Sequence, residues 1–151
     1  MSFDRPVFSV RDGRAPEGGT FVTAAETAGA IGIFDGVIPP GHSVHWHTHT
    51  REIECFHVIE GRFRFWCGDE VRQGGPGTTV VAPPHLRHRW ENISDGPGRL
   101  LMWVMPGGFE RFFAEVDALA APTPQAIFEI ETRYGIISEI LDPPAPLETP
   151  T

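Results

Sequence analysis

No apolar run in this chain approaches the roughly 18 residues of a membrane-crossing helix. The opening M-S-F-D-R-P-V-F also lacks the apolar region and small-residue cleavage site of a secretory signal. A cytoplasmic protein without membrane partners is expected. Positive charge is scarce as well: 12 Lys and Arg stand against 20 Asp and Glu, a formal net charge of −8 with a pI near 5.3. That balance excludes a protein that tracks nucleic-acid phosphates or a polybasic membrane surface binder, since both need concentrated cations. Cysteine is limited to Cys55 and Cys67, with neither C-x-x-C spacing nor a disulfide framework, so reduced thiols are expected. Also missing are G-x-S-x-G, a P-loop, G-x-G-x-x-G and H-E-x-x-H, and Gly74-Gly75-Pro76-Gly77 carries no phosphate-binding lysine.

What is abundant is glycine, at 17, and proline, at 15, in 151 residues. A chain of this length reads as one domain that buries roughly 68–70% of its unfolded surface. Its punctuation favours short strands joined by turns. The segment R-D-G-R-A-P-E-G-G at 11–19 reads as turns and Phe21-Val22-Thr23 as a short strand. Residues 31–38, I-G-I-F-D-G-V-I, form a strand closed at Pro39-Pro40-Gly41. His45, His47 and His49 follow at period 2, which puts all three on one face of an extended segment. From Glu52 to Trp66 the pattern predicts a two-residue hairpin at Glu60-Gly61, with Val58 opposite Phe63 and Phe56 opposite Phe65. One face then carries Glu54, Phe56, Val58, Phe63 and Phe65, while His57 and both arginines point away. Thr78 to Ala82 is a β-branched strand, His88, Trp90 and Asn92 share the face of another, and Arg99 to Met105 is an apolar strand. Helix signals come last: an amphipathic segment over 108–120, then Thr123-Pro124 as N-cap and first position of a helix running to Tyr134, with Gly135 as its stop. About eight short strands with a helical C-terminus suggest a β-sandwich or jelly-roll barrel enclosing a cavity.

The chemistry is concentrated in Gly41–Gly61, G-H-S-V-H-W-H-T-H-T-R-E-I-E-C-F-H-V-I-E-G, and in a second stretch holding His85 and His88. Neutral imidazole is the commonest metal ligand near neutral pH, and a carboxylate beside it suits a divalent cation. His47 and His49 share a strand face, Glu54 begins the next strand and His88 arrives from a third. Three imidazoles and a carboxylate on convergent faces would be costly to bury without a cation. Phe56, Phe63, Phe65 and Trp90 share faces with these residues and are candidate walls of a substrate pocket. His45, on the same strand face, is a candidate catalytic base, and His85, on a loop beside the His88 strand, a second candidate at the cavity mouth. His42 and His57 read as structural or solvent-facing.

The spacing Gly41, His47-Thr48-His49, Glu54, Gly61 resembles the first sequence motif of the cupin superfamily, and Gly77, Pro83, His88, Asn92 resembles the second. The chain departs where His85 stands in place of the usual glycine. The resemblance implies an all-β jelly-roll β-barrel with a short helical C-terminal segment. It divides the chain into an N-terminal arm over 1–30, a core barrel over 31–106, helices over 107–142 packed on the same domain and a Pro-rich tail over 143–151. It makes His47, His49, Glu54 and His88 the ligands of one divalent transition metal, with Fe, Mn, Ni, Cu, Co and Zn all compatible with the donor set. A homodimer is implied too, and Ile59, Trp66 and the C-terminal helices offer apolar surface for it.

A looser similarity links M-P-G-G-F-E-R-F-F at 105–113 and R-Y-G-I at 133–136 to small bacterial cupins related to quercetin dioxygenases. It implies an oxygenase acting on an enolic or phenolic aromatic chelated at the metal. The alternatives are a redox-neutral cyclase, isomerase or lyase, with the metal as Lewis acid and His45 or His85 moving the proton, and a non-catalytic small-molecule sensor.

Overall fold

A computed structural model describes residues 6–9 and 19–142 of the chain. The tail expected over 143–151 and nearly all of the turn segment expected over 11–19 lie outside the described residues. In chain order the elements are β1 (Thr20–Val22), β2 (Gly32–Ile38), β3 (His47–His49), β4 (Ile53–Glu60), β5 (Phe63–Cys67), β6 (Glu70–Gly74), β7 (Thr79–Ala82), β8 (His88–Asn92), β9 (Gly98–Met105), α1 (Glu110–Asp117), α2 (Pro124–Arg133) and β10 (Ile136–Ser138).

The strands form two five-stranded antiparallel sheets, ordered β1-β2-β9-β4-β7 and β10-β3-β8-β5-β6. Among the described residues neither closes on itself, and no strand of one pairs with a strand of the other. This corrects the expected jelly-roll barrel: closure needs an unbroken ring of ladder hydrogen bonds, and here each sheet ends in two edges. The C-terminal segment is not purely helical either, because β10 returns to pair with β3.

The hairpin expected at Glu60-Gly61 is corrected as well. β4 pairs with β7 and β9, and β5 pairs with β6 and β8, so the turn hands the chain from one sheet to the other. Gly61 has φ +82°, and a Cβ there would lie 2.8 Å from Ser94 Oγ and 2.9 Å from Gly98 Cα, so the tight switch requires glycine. The expected side-chain alternation still holds, because crossing between sheets leaves the apolar face of each strand inward. Phe56, Val58, Phe63 and Phe65 meet Leu100, Met102, Val104 and Trp90 in the buried core between the sheets. On the opposite side Trp66 is itself buried under the Arg89 guanidinium, 4.3 Å from its ring, and Ile59 is half-buried.

Asn92 ties the end of β8 to the end of β2 across the core. Fully buried, it donates through Nδ2 to the carbonyls of Ile38 (2.9 Å) and Gly96 (3.1 Å) and accepts through Oδ1 from the Ser94 amide (2.9 Å). At the other end of the chain, α2 begins as the sequence predicts, with Thr123 Oγ1 accepting from the Ala126 amide at 3.2 Å, and Gly135 follows it at φ +75°. Asn92→Ala removes the donor shared by the Ile38, Pro39 and Gly96 carbonyls and the acceptor of the Ser94 amide from a buried position. It should lower unfolding free energy by roughly 1–3 kcal/mol, seen as a lower urea midpoint at unchanged slope.

Candidate metal centre and cavity

The candidate metal ligands come from both sheets. β3 supplies His47 and His49, and β8, whose His88 is in register with His47, supplies the third imidazole. Glu54 comes from β4 in the opposite sheet, in register with Val104 and Ala82. One ligand atom from each of these four residues lies within 4.8 Å of all the others. Glu54 Oε2 is 2.8 Å from His88 Nε2, 3.0 Å from His49 Nε2 and 3.7 Å from His47 Nε2. His49, His88 and Glu54 are buried, and His47 is nearly so.

Hydrogen bonds on the far side of each ring set the tautomers. Nδ1 of His47 donates to the His45 carbonyl (2.9 Å), Nδ1 of His88 to the Leu86 carbonyl (2.8 Å) and Nδ1 of His49 to Glu52 Oε2 (3.2 Å). With Nδ1 protonated, a neutral ring turns a lone pair on Nε2 inward, toward a carboxylate that also only accepts. His49 Nε2 has no hydrogen-bond partner although buried. Acceptors facing acceptors in a dry interior call for a cation or an added proton, and the donor set fits a divalent transition metal.

Electrostatics agree. Burial opposes charge on His47 and holds its pKa below the ordinary 6.5. At His49 the burial cost is outweighed by Glu54 and Glu52, which push the pKa up to about 10. Burial would raise Glu54, but charged His49 first, and then the imidazoles crowding its carboxylate, hold it well below the ordinary carboxylate range. In the metal-free protein the cluster therefore stores a proton at His49, which a bound metal must displace.

A cavity of about 470 Å³ lies against the cluster, within the range of small-molecule sites. His47 and Glu54 lie in its wall, so the cluster is open on that side. Much of the remaining wall is apolar, including Phe34, Met102, Phe109, Phe112 and Ile127. Of the pocket residues expected from sequence, Trp90 lines this cavity. Phe56, Phe63 and Phe65 do not; they form the core between the sheets, and Phe65 also borders a separate pocket near Cys67.

His45 lies in the cavity wall with its ring centroid 5.9 Å from that of His47, and His42 also borders the cavity. His85 is not among the lining residues; it is exposed, at φ +67°, and its amide donates to the His49 carbonyl at 2.8 Å. A left-handed backbone there explains why glycine suits this position. His57 pairs with Thr79 Oγ1 at 2.8 Å, away from the cavity. Burial pushes both thiol pKa values up, and Cys55 and Cys67 are free, as expected.

Two carboxylates escaped the sequence reading. Glu52 is buried and orients His49; its sequence signal is the E-I-E spacing, which at period 2 sets it on the same side as Glu54, the two carboxylates meeting Nδ1 and Nε2 of one ring. Glu131, 3% exposed on α2, accepts from His45 Nε2 at 2.7 Å. Its signal is a charge among Ile127, Ile130 and Tyr134 on the apolar stripe of an amphipathic helix.

Residues 34–104 match the family model for the cupin domain, and this stretch is a cupin domain. A protein of Streptomyces cyaneus named polyketide synthase CurC is 28% identical over 120 residues, 80% of this chain and 74% of that protein. Protein SchB of Streptomyces halstedii is 30% identical over 87 residues, 58% of this chain and 62% of that protein, so the match spans about three-fifths of SchB. Among solved structures, KdgF from a Halomonas species superposes with a TM-score of 0.55 at 18% identity, covering 61% of this chain and 81% of that one, a likeness of fold alone. Among the described residues no helix is long and apolar enough to cross a membrane.

Glu52→Ala, which frees the His49 ring to turn, should weaken metal affinity about 10–100-fold; competition against a chromophoric chelator reads this directly, and unchanged affinity would remove Glu52 from the site. Metal uptake at pH 8 should release a proton, since Glu54 and Glu52 push the His49 pKa up to about 10, and affinity should climb as pH rises toward that value. Calorimetry in two buffers of different ionisation enthalpy counts the released protons.

Proposed function

We propose that this protein is a metal-dependent enzyme whose substrate is an enolic or phenolic aromatic, chelated at a centre held by His47, His49, Glu54 and His88. The observation carrying this reading is the exposure of His47 and Glu54 to an apolar, ring-lined cavity. A flat hydrophobic ligand fills such a space, and adjacent oxygens on one edge reach the polar corner formed by His47 and Glu54. A divalent transition metal bound there supplies Lewis acidity and, when redox-active, a route for electrons to oxygen. The chain's own residues do the rest. Glu52 and the carbonyls of His45 and Leu86 fix the imidazoles. Phe109, Phe112 and Trp90 exclude water from the substrate's flank.

Oxygenation of the chelated substrate, the reaction implied by the motif resemblance, is the first reading. A second, redox-neutral ring closure or isomerisation, is favoured by a specific observation: His45, hydrogen-bonded to Glu131, faces the cavity beside the cluster, where it can take a proton from a carbon next to a carbonyl and return it. The name of the CurC relative supports a polyketide-type substrate in either case.

Protein purified without added metal should carry a divalent transition ion, and His49→Ala should lose it; a variant with full metal content would overturn the ligand set. With metal confirmed, a panel of flavonols, β-diketones and hydroxyanthraquinones should include a substrate. Oxygen uptake assigns the first reading, and turnover that persists without oxygen assigns the second. Binding without turnover across the panel would sink both and leave a sensor.

A further inference from the structure

Glu131 is an expensive residue for the position it holds. It lies in the last turn of α2, where the unpaired carbonyls of the helix end disfavour negative charge. It is 3% exposed, and its Oε2 is buried with no hydrogen-bond partner among the described residues. Only Oε1 is engaged, accepting from His45 Nε2 at 2.7 Å. A carboxylate kept solely to orient His45 would still leave Oε2 desolvated and unpaired, which costs stability. Glu131 also lines the cavity, and the helix residues around it there, Ile127 on α2 and Phe112 on α1, supply no donor.

From this geometry we infer that Glu131 is a substrate-recognition residue whose Oε2 accepts a hydrogen bond from a ligand hydroxyl remote from the chelating oxygens. The inference rests on the chelation reading above and adds a second point of attachment to it. The ligand is therefore a polyhydroxylated aromatic: one oxygen pair turns to the His47–Glu54 corner, and a further phenol turns to α2. The His45 ring, 5.9 Å from that of His47, spans the interval between the two points, so the recognised hydroxyl sits on a ring beyond the chelating one. His45 holds the carboxylate in place by donating to its other oxygen.

Two probes separate the two attachments. 1,8-Dihydroxyanthraquinone offers the chelating carbonyl–hydroxyl edge alone, and 1,3,6,8-tetrahydroxyanthraquinone adds hydroxyls at the outer positions 3 and 6. Affinities are measured by tryptophan fluorescence quenching on the metal-loaded full chain. The wild type should prefer the tetrahydroxy probe by about tenfold or more, the scale of one hydrogen bond to a charged acceptor. Glu131→Leu should erase that preference while leaving 1,8-dihydroxyanthraquinone binding within about threefold and the melting temperature equal or higher. Glu131→Gln, which keeps an acceptor for His45, should reduce the preference without loss of fold. A purely structural Glu131 gives another pattern: lower melting temperature, and both probes weakened alike or not at all. That result, or a wild type with no preference, overturns the inference while leaving chelation intact. If neither probe binds the metal-loaded wild type, the chelation reading falls and takes this inference with it.

Discussion

Everything about this molecule's site depends on one carboxylate oxygen held against three imidazole nitrogens across the gap between two sheets. Glu54 belongs to β4 and the histidines to β3 and β8, so no single sheet owns the cluster. The contact is unfavourable on its own, acceptor against acceptor in a dry interior, until a cation or proton joins it. The surrounding architecture maintains that tension. Backbone carbonyls and Glu52 hold the rings from behind, β8 and β10 flank β3 on either side, and the core aromatics keep the sheets in register. Metal affinity, proton storage at His49 and the position of the cavity are consequences of the same meeting.

Placing the cluster at the cavity's edge divides its labour. His49 and His88 are buried behind and do not face the space, whereas His47 and Glu54 do. Ligands that only hold can thus be enclosed while those beside the reacting group remain accessible. The apolar wall lowers the local dielectric, which strengthens every charge interaction in the corner and makes a bound hydroxyl or enolate depend on the few polar partners present.

Much of this centre was legible in the chain. His47 and His49 at period 2, Glu54 opening an alternating strand and His88 sharing a face with Trp90 and Asn92 all follow from side-chain alternation, a local property. The end of α2 was equally local, read from Thr123, Pro124 and Gly135. Pairing is not local. A turn of two residues at Glu60-Gly61 fits either a hairpin or a switch between sheets, and the choice lies with partners about thirty residues away, Ser94 and Gly98. The open sheets, in place of a barrel, were hidden for the same reason. β6, with four of its five residues exposed, lacks the apolar alternation by which strands are recognised, and β10 is too short to show one. Phe56, Phe63 and Phe65 face inward as alternation requires, yet which inward-facing ring reaches a cavity depends on what fills the space in front of it. Glu131 was concealed because its partner, His45, lies 86 positions earlier.

The cavity is assembled from several lengths of chain, and its metal corner and much of its apolar wall come from different ones. The metal-binding residues fall between His47 and His88, while Phe109, Phe112, Phe113, Ile127 and Glu131 come from the segment after β9. That segment touches the cluster where β10 lies beside β3 and where the Phe109 ring meets that of His49, centroids 4.9 Å apart, both outside the helices proper. Substitutions along the helices can therefore remodel the room around a substrate without disturbing the ion, and a single chemistry can be handed a succession of different molecules.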